Sequence, residues 1–163
     1  MRICHKLCLI VAIVAPATSP GQTKCPWLNE PTAGEILGGG VTATTKIRGH
    51  EGGVCEFSRL QGTTVHQLTI SVELMTNIPK EFPTYLEKCP PKSAAIRAIG
   101  NEAVGCSIER SGNEYAERVV GRVRDQAFVV TLSTSAKNDL SLTQSIRREK
   151  ANLVAEQVAG ILF

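Results

Sequence analysis

The clearest pattern along the chain lies in the segment 65–74, where apolar and polar positions alternate strictly from Gln67 to Leu74. Leu68 and Ile70 occupy one phase of the alternation, and Thr69 and Ser71 occupy the other. Because successive side chains of a β-strand point to opposite faces of a sheet, this period of two predicts a strand. One face of that strand is expected to be buried, and the other is expected to contact water.

Shorter apolar runs bounded by turn residues predict six further strands. They are expected to form three hairpins, which turn at 49–53, at Gly100-Asn101 and at Asp125-Gln126. The six predicted strands cover 41–48, 54–60, 94–99, 103–110, 117–124 and 127–134.

Two of three predicted helices precede residue 90. The first is short: Asn29 or Thr32 opens it, Pro31 lies in its first turn, and the glycines at 38–40 end it. The second is an amphipathic helix at 80–88, which ends before a Pro-Pro pair.

The third predicted helix is long and closes the chain. It covers 142–162 and is opened by the Ser141-x-x-Gln144 pattern of a capping box. We therefore expect one α+β domain: an antiparallel sheet on which a short N-terminal helix, a middle helix and a long C-terminal helix pack. The long helix has one mostly apolar stripe, which consists of Ile146, Lys150, Leu153, Val154, Val158 and Ile161.

The first residues have the pattern of a secretory signal peptide at 1–17. Arg2 and Lys6 are followed by nine uncharged, mainly apolar residues at 7–15 and then by small residues. Nine residues span only about 14 Å as a helix, which is too short to cross a bilayer. We expect cleavage, a flexible lead-in at 18–24 and a single exported domain at 25–163 without membrane insertion, in the periplasm or secreted.

Composition narrows the classes of function. The chain has 42% hydrophobic residues and 20% charged residues, as globular domains usually have, and only 4% aromatic residues. Removal of 1–17 takes away Arg2 and Lys6, which lowers the net charge from +3 to +1. So small a charge gives no general attraction for nucleic acid or for an anionic membrane.

Four cysteines remain after cleavage, namely Cys25, Cys55, Cys89 and Cys106. An even number in an exported domain predicts two disulfides, for which three pairings are possible. We favour the pairing of neighbours along the chain, Cys25 with Cys55 and Cys89 with Cys106. Zinc is the competing interpretation, but the chain has no C-x-x-C pair, so we expect neither a metal nor another cofactor.

Three segments carry a family resemblance. The Cys-Pro-Trp-Leu-Asn segment at 25–29 is followed by a second cysteine thirty residues later, Ile-Gly-Asn-Glu-Ala-Val stands at 99–104, and a valine-rich hairpin occupies 119–132. Together they resemble small uncharacterised bacterial exported domains. The resemblance implies the α/β/α sandwich of the extrinsic PsbP subunit of photosystem II, and it implies no active site.

Residues for catalysis are few. The chain has no G-x-S-x-G motif, and only His50 and His66 remain after cleavage. His50 beside Glu51 could act as a general base, and otherwise it is a solvated turn residue; His66 is expected at a strand end, partly buried. The glycines at 38–40 follow a helix, and a helix C-terminus repels the phosphate that such a loop would hold.

Two surfaces are candidates for binding. Arg118, Arg122 and Arg124 share one face of a regular strand and could bind a carboxylate or a phosphate, or could simply be solvated. Arg97 and Arg110 are expected nearby. The aromatic side chains Phe82 and Tyr85 could form the rim of a pocket, or could dock the middle helix on the sheet.

These observations favour an exported, non-enzymatic binding domain. Its expected partner is an envelope or extracellular protein or a small anionic ligand. The alternatives are a small secreted hydrolase that uses His50 or His66, and an inhibitor of an extracellular enzyme that presents the turn at 49–53.

Overall fold

The computed structural model describes residues 24–91, 93–110 and 114–163, without the side chain of Arg110. The expected signal peptide at 1–17 lies outside the described residues, as do residues 18–23 of the expected lead-in.

The described chain forms one seven-stranded antiparallel sheet and three α-helices, which confirms the predicted α+β class and the long C-terminal helix. The strands lie in the order β1-β2-β3-β7-β6-β5-β4, and a 3-10 turn at Gly49–Glu51 joins β1 to β2. The elements are α1 (Glu30–Leu37), β1 (Thr42–Ile47), β2 (Gly52–Gln61), β3 (Thr64–Leu74), α2 (Ile78–Leu86), β4 (Ala94–Ile96), β5 (Glu102–Arg110), β6 (Glu114–Val123), β7 (Gln126–Thr134) and α3 (Gln144–Leu162).

The central strand β3 has the alternation that its sequence predicts. His66, Leu68, Ile70 and Val72 are buried on one face, and the residues between them are half-buried. Since β3 pairs with both β2 and β7, its buried face lies in the middle of the sheet.

The main core lies between the sheet and the helices α1 and α3. Phe57 of β2, Leu68 of β3 and Phe128 of β7 are each fully buried there. The α3 side chains that face the sheet are mostly small, which lets the helix lie close to it. They are Arg147, Ala151, Val154, Ala155, Val158 and Ala159.

The predicted apolar stripe of α3 was therefore partly wrong. Leu153 is 56% exposed and Ile161 is 50% exposed, whereas the neighbouring alanines are buried. Each residue turns a helix by about 100°, so a face centred on the alanines directs Leu153 and Ile161 outwards.

A smaller core covers the opposite face of the sheet. There α2 packs on β5, β6 and β7, where Phe82 is buried against Val120 and Val129. Strands β6 and β7 are consequently buried on both faces. The same face of β1, β2 and β3 stays partly open to water, since Thr44 and Glu56 are exposed there.

Polar contacts fix both ends of α1. Asn29 accepts a hydrogen bond from the Thr32 N–H at 2.8 Å, so the helix begins before Thr32. At the other end Gly38 has a φ of 85°, and the cations of Arg59 and Lys150 donate to the carbonyls of Leu37 and Ile36. Cations at a helix C-terminus are favourable because the carbonyl ends carry partial negative charge.

Two disulfides are present, and they have the favoured pairing. Cys25 joins Cys55 with a Cα–Cα distance of 5.8 Å, and Cys89 joins Cys106 at 5.7 Å. The first ties the segment before α1 to β2, and the second ties the end of α2 to β5. Structural disulfides are typical of proteins that fold in oxidising compartments.

In the described part of the chain, no helix has the length and apolarity needed to cross a membrane.

Candidate binding surface

The three arginines of the predicted surface do not share one strand face. Arg118 and Arg122 lie on the α2 side of β6, with the fully buried Val120 between them. Strand β6 ends at Val123, and Arg124 follows in the turn with a φ of 52°. The period-two argument therefore fails for Arg124, because it requires a strand that continues through that residue.

Arg118 is half-buried beside the end of α2. Its Nε donates to Thr131 Oγ1 at 3.0 Å, and its Nη1 donates to the carbonyl of Lys88 at 2.8 Å. The Lys88 ammonium lies 4.4 Å from the centre of the Tyr85 ring. Burial lowers the pKa of Lys88, and the positive charge of Arg118 lowers it further. The end of α2 thus brings two cations together.

Arg122 is neutralised within the domain. Its guanidinium contacts Glu102 of β5, donates to the carbonyl of Arg124 at 3.1 Å, and lies 5.7 Å from the centre of the Phe82 ring. Arg97 is exposed. The side chain of Arg110 lies outside the described residues.

The two aromatic side chains of α2 dock the helix. Phe82 is 3% exposed inside the smaller core. Tyr85 is half-buried and donates its hydroxyl proton to Glu73 Oε2 at 2.5 Å, while Arg48 binds the other oxygen at 2.8 Å. The hydrogen bond from Tyr85, together with Arg48, lowers the pKa of Glu73, and burial and Glu73 raise the pKa of Tyr85.

A pocket of about 440 Å³ opens at the edge of the sheet, beside the beginning of β4. We call it the edge pocket. Gly105 lies in its lining, and a Cβ there would come within 2.9 Å of Ile96 Cδ1. The fourteen lining residues include Pro90, Pro91, Ser107, Glu117, Arg118 and Arg148.

A polar network forms one wall of the edge pocket. Glu117, 2% exposed, accepts a hydrogen bond from Ser107 Oγ at 2.5 Å and pairs with Arg148 Nε at 3.2 Å. Arg148 and Gln144 also donate to the Ser107 oxygen. The Arg148 side chain is 60% exposed, so its guanidinium remains accessible from solvent. The Arg118 guanidinium lies on the other face of β6, so the charged pair of this wall is Arg148 with Glu117.

Sequence reasoning did not find Glu117 and Arg148. They are 31 residues apart, and only the packing of α3 on β6 brings them together. The one local signal is the Arg147-Arg148 pair in the first turns of a helix that has no acidic residue in its first turn. Cations at a helix N-terminus are unfavourable by themselves, so they indicate nearby carboxylates.

The two histidines lie near opposite ends of β2, one in the turn before it and one on the neighbouring strand β3, and they have different environments. His50 is exposed in the 3-10 turn before β2. His66 is 1% exposed, pairs with Arg59 near the other end of β2, and places Nε2 2.7 Å from Asp139 Oδ2. Its Nδ1 is buried without a hydrogen-bond partner in the described chain. A substrate could not reach this ring.

Asp139 organises the loop between β7 and α3. Burial would raise its pKa, but the hydrogen bonds from Ser141, Thr134 and the Leu142 N–H outweigh burial and hold that pKa well below its usual range. Its Oδ2 contacts His66 of β3 and Thr134 of β7, and its Oδ1 accepts a hydrogen bond from the Leu142 N–H, just before α3 begins. The His-Asp pair thus has a structural role.

Within the described ranges, no three His, Cys, Asp or Glu side chains are arranged to hold a metal ion.

The turn at 49–53 has three exposed residues followed by the buried Gly52 and Gly53. It is therefore partly embedded in the sheet.

No protein-family model matches the chain, and no curated protein matches it in sequence.

Proposed function

We propose that this chain is an exported, non-enzymatic binding domain whose edge pocket binds an anionic group of a ligand or partner. The observation that carries the proposal is a pocket of about 440 Å³ with Arg148 in its lining, a volume within the usual range for small-ligand sites. Arg148 offers an accessible guanidinium, and such a group binds carboxylates and phosphates through paired hydrogen bonds.

The state of the histidines supports a non-enzymatic role. A general base must lie within hydrogen-bond reach of the proton that it removes. The ring of His66 is enclosed and paired with Asp139, and His50 stands alone in an exposed turn. The hydrolase that uses either histidine is therefore the weaker proposal, and the inhibitor that uses the turn at 49–53 has no supporting contact.

The ligand test is a titration of the disulfide-bonded domain with inorganic phosphate and, separately, with succinate. NMR chemical shifts of the backbone amides monitor binding. We expect saturable shifts at Gly105 and Ser107. Arg148→Gln should weaken the affinity at least tenfold, whereas Arg97→Gln, an exposed arginine outside the pocket lining, should not change it. If neither anion shifts these amides, the proposed site is wrong.

We also propose that the fold is the PsbP-like α/β/α sandwich that the family resemblance implies.

We propose further that the chain is exported after cleavage of the segment at 1–17. The two disulfides support export. Sequencing of the mature protein should begin at Thr18, or at Gln22 if the second cleavage site is used. Recovery of an intact Met1 from a reducing cytoplasm would contradict the proposal.

A further inference from the structure

Strand β5 has a partly unpaired outer edge. It is nine residues long, whereas β4 has three residues and pairs only with Ala103, Val104 and Gly105. Among the described residues, the remaining part of β5, at 106–110, pairs on one side only, with β6. Exposed strand edges tend to pair with another chain.

The side chains along this edge form an ordered pattern. Ser107 and Glu109 are exposed and alternate with Ile108, which is half-buried against the smaller core. Arg148 reaches the edge from α3, with its Nη2 3.2 Å from Ser107 Oγ. The edge therefore has a carboxylate and a guanidinium on one face of the sheet and an isoleucine on the other.

We propose that β5 pairs antiparallel with β5 of a second copy of this chain, with Ile108 directly opposite Ile108 of that copy. In this register Ser107 lies opposite Glu109 of the second copy, with Cβ atoms about 4.5–5.5 Å apart. That carboxylate then comes within reach of Arg148. The two-fold symmetry makes the contact twice, as in an isologous interface.

Charge and space select this register. A shift of two residues in one direction places Glu109 opposite Glu109, and like charges directly opposite each other are unfavourable. The same shift in the other direction places Glu109 opposite Gly105, where Ala94 already pairs. A shift of one residue places Glu109 beside the apolar Ile108.

The interface is short, so the association should be weak and dependent on concentration. The inference goes beyond the proposed function, although both use Arg148: Glu109 of the second copy and a bound anion would compete for the same guanidinium. A domain that binds no anion could still pair in this way, and a strictly monomeric domain could still bind one.

The test is a disulfide that only the proposed register allows. Residues directly opposite in antiparallel strands have Cα atoms about 4.5–5.5 Å apart, within the disulfide range. The four cysteines of the described chain are already paired, so Ile108→Cys adds a single thiol there. Under a glutathione redox buffer, the Ile108→Cys protein should form a covalent dimer at least tenfold faster than Thr44→Cys, an exposed position on β1.

Two further arms test the charge and the register. Glu109→Lys in the Ile108→Cys background should slow cross-linking at least tenfold, since it places a lysine beside Arg148. A mixture of Ser107→Cys and Glu109→Cys proteins should cross-link faster than either protein alone, and this arm keeps the packing of Ile108. Equal rates for Ile108→Cys and Thr44→Cys, or no gain from the mixture, would overturn the proposal.

Discussion

The two halves of the sheet differ in how many faces they bury. In β3 the buried positions alternate with half-buried ones, because helices cover only one face there. In β7 four consecutive residues, Ala127 to Val130, are buried, because α3 covers one face and α2 the other. Alternation is therefore the signature of a strand covered on one side, and an unbroken apolar run is the signature of a strand covered on both.

The largest expected effect lies in the half of the sheet that is covered on both faces. Phe128→Ala should lower the free energy of unfolding by about 3–5 kcal/mol, because it empties the space of a fully buried ring. The matched control is Leu60→Ala on β2, where the side chain is 70% exposed and the loss should stay within about 0.5 kcal/mol. Urea denaturation measures both changes.

Similar losses from the two variants would contradict the burial of Phe128 between the sheet and α3. Gly121 offers a sharper version of the same test. A Cβ at this glycine would lie 2.4 Å from Phe128 Cζ, so Gly121→Ala should destabilise the domain through overpacking. Phe128→Leu should then recover part of the loss, because it removes the ring atoms that Gly121→Ala would contact.

The second prediction compares the disulfides of the two halves. Loss of Cys89–Cys106 through a double serine variant should cost roughly 3 kcal/mol, and loss of Cys25–Cys55 slightly more, since it closes 30 residues instead of 17. Hydrogen exchange separates their local effects. Loss of Cys89–Cys106 should speed exchange in α2 and β5, and loss of Cys25–Cys55 should speed exchange in α1.

If exchange becomes faster by the same factor throughout the domain in either double variant, the disulfide stabilises the whole domain and has no local effect. The non-reducing peptide map of the unaltered protein is the control, since it reports both native pairs.

The third prediction concerns the junction between the halves. The loop carboxylate of Asp139 joins β3 to β7, and its pKa is lowered in the folded state. A carboxylate whose folded pKa lies below the unfolded value of about 3.9 adds stability above that pH, and this stability is lost as the pH falls through the folded pKa. Asp139→Asn should cost about 1–3 kcal/mol near neutral pH and should flatten the acid limb of the stability curve.

The control for this prediction is Asp125→Asn, an exposed carboxylate in the turn between β6 and β7. It should leave both the stability and its dependence on pH close to those of the unaltered protein. An acid limb that stays equally steep in the Asp139→Asn protein would mean that another carboxylate controls it.

The sequence was most informative where one local pattern determined the structure. The alternation at 65–74 predicted β3, which covers Thr64–Leu74, because period two survives any tertiary arrangement. The favoured disulfide pairing was confirmed. The buried face of α3 was not predictable to the same degree, because Leu153 and Val154 are both apolar and only the position of the sheet selects between them.

The candidate site depended on contacts between distant segments. Arg118 was predicted as part of an anion-binding arginine face, but its partners Thr131 and Lys88 come from another strand and from the end of α2. Arg124 was misplaced because the turn that follows Val123 contains no glycine to indicate where the strand ends. Strand register and helix position supplied what the local pattern lacked.

The smallest expected effects separate the arginines that the sequence grouped together, and Arg118 lies in the half of the sheet that is covered on both faces. It is half-buried and donates to Thr131 and to the Lys88 carbonyl, so Arg118→Gln should cost about 1–2 kcal/mol, the usual range for two net hydrogen bonds. Arg124 is exposed in its turn. Its contacts with Asn101 and Arg122 use its backbone N–H and carbonyl, which glutamine keeps, so Arg124→Gln should change stability by less than about 0.5 kcal/mol. Thermal or urea unfolding of the two single variants decides between a shared arginine face, which predicts two equally small effects, and the arrangement described above, which predicts unequal ones. Arg97→Gln, another exposed arginine, sets the baseline, and a loss from Arg118→Gln no larger than that baseline would show that its two hydrogen bonds do not hold α2 against β6.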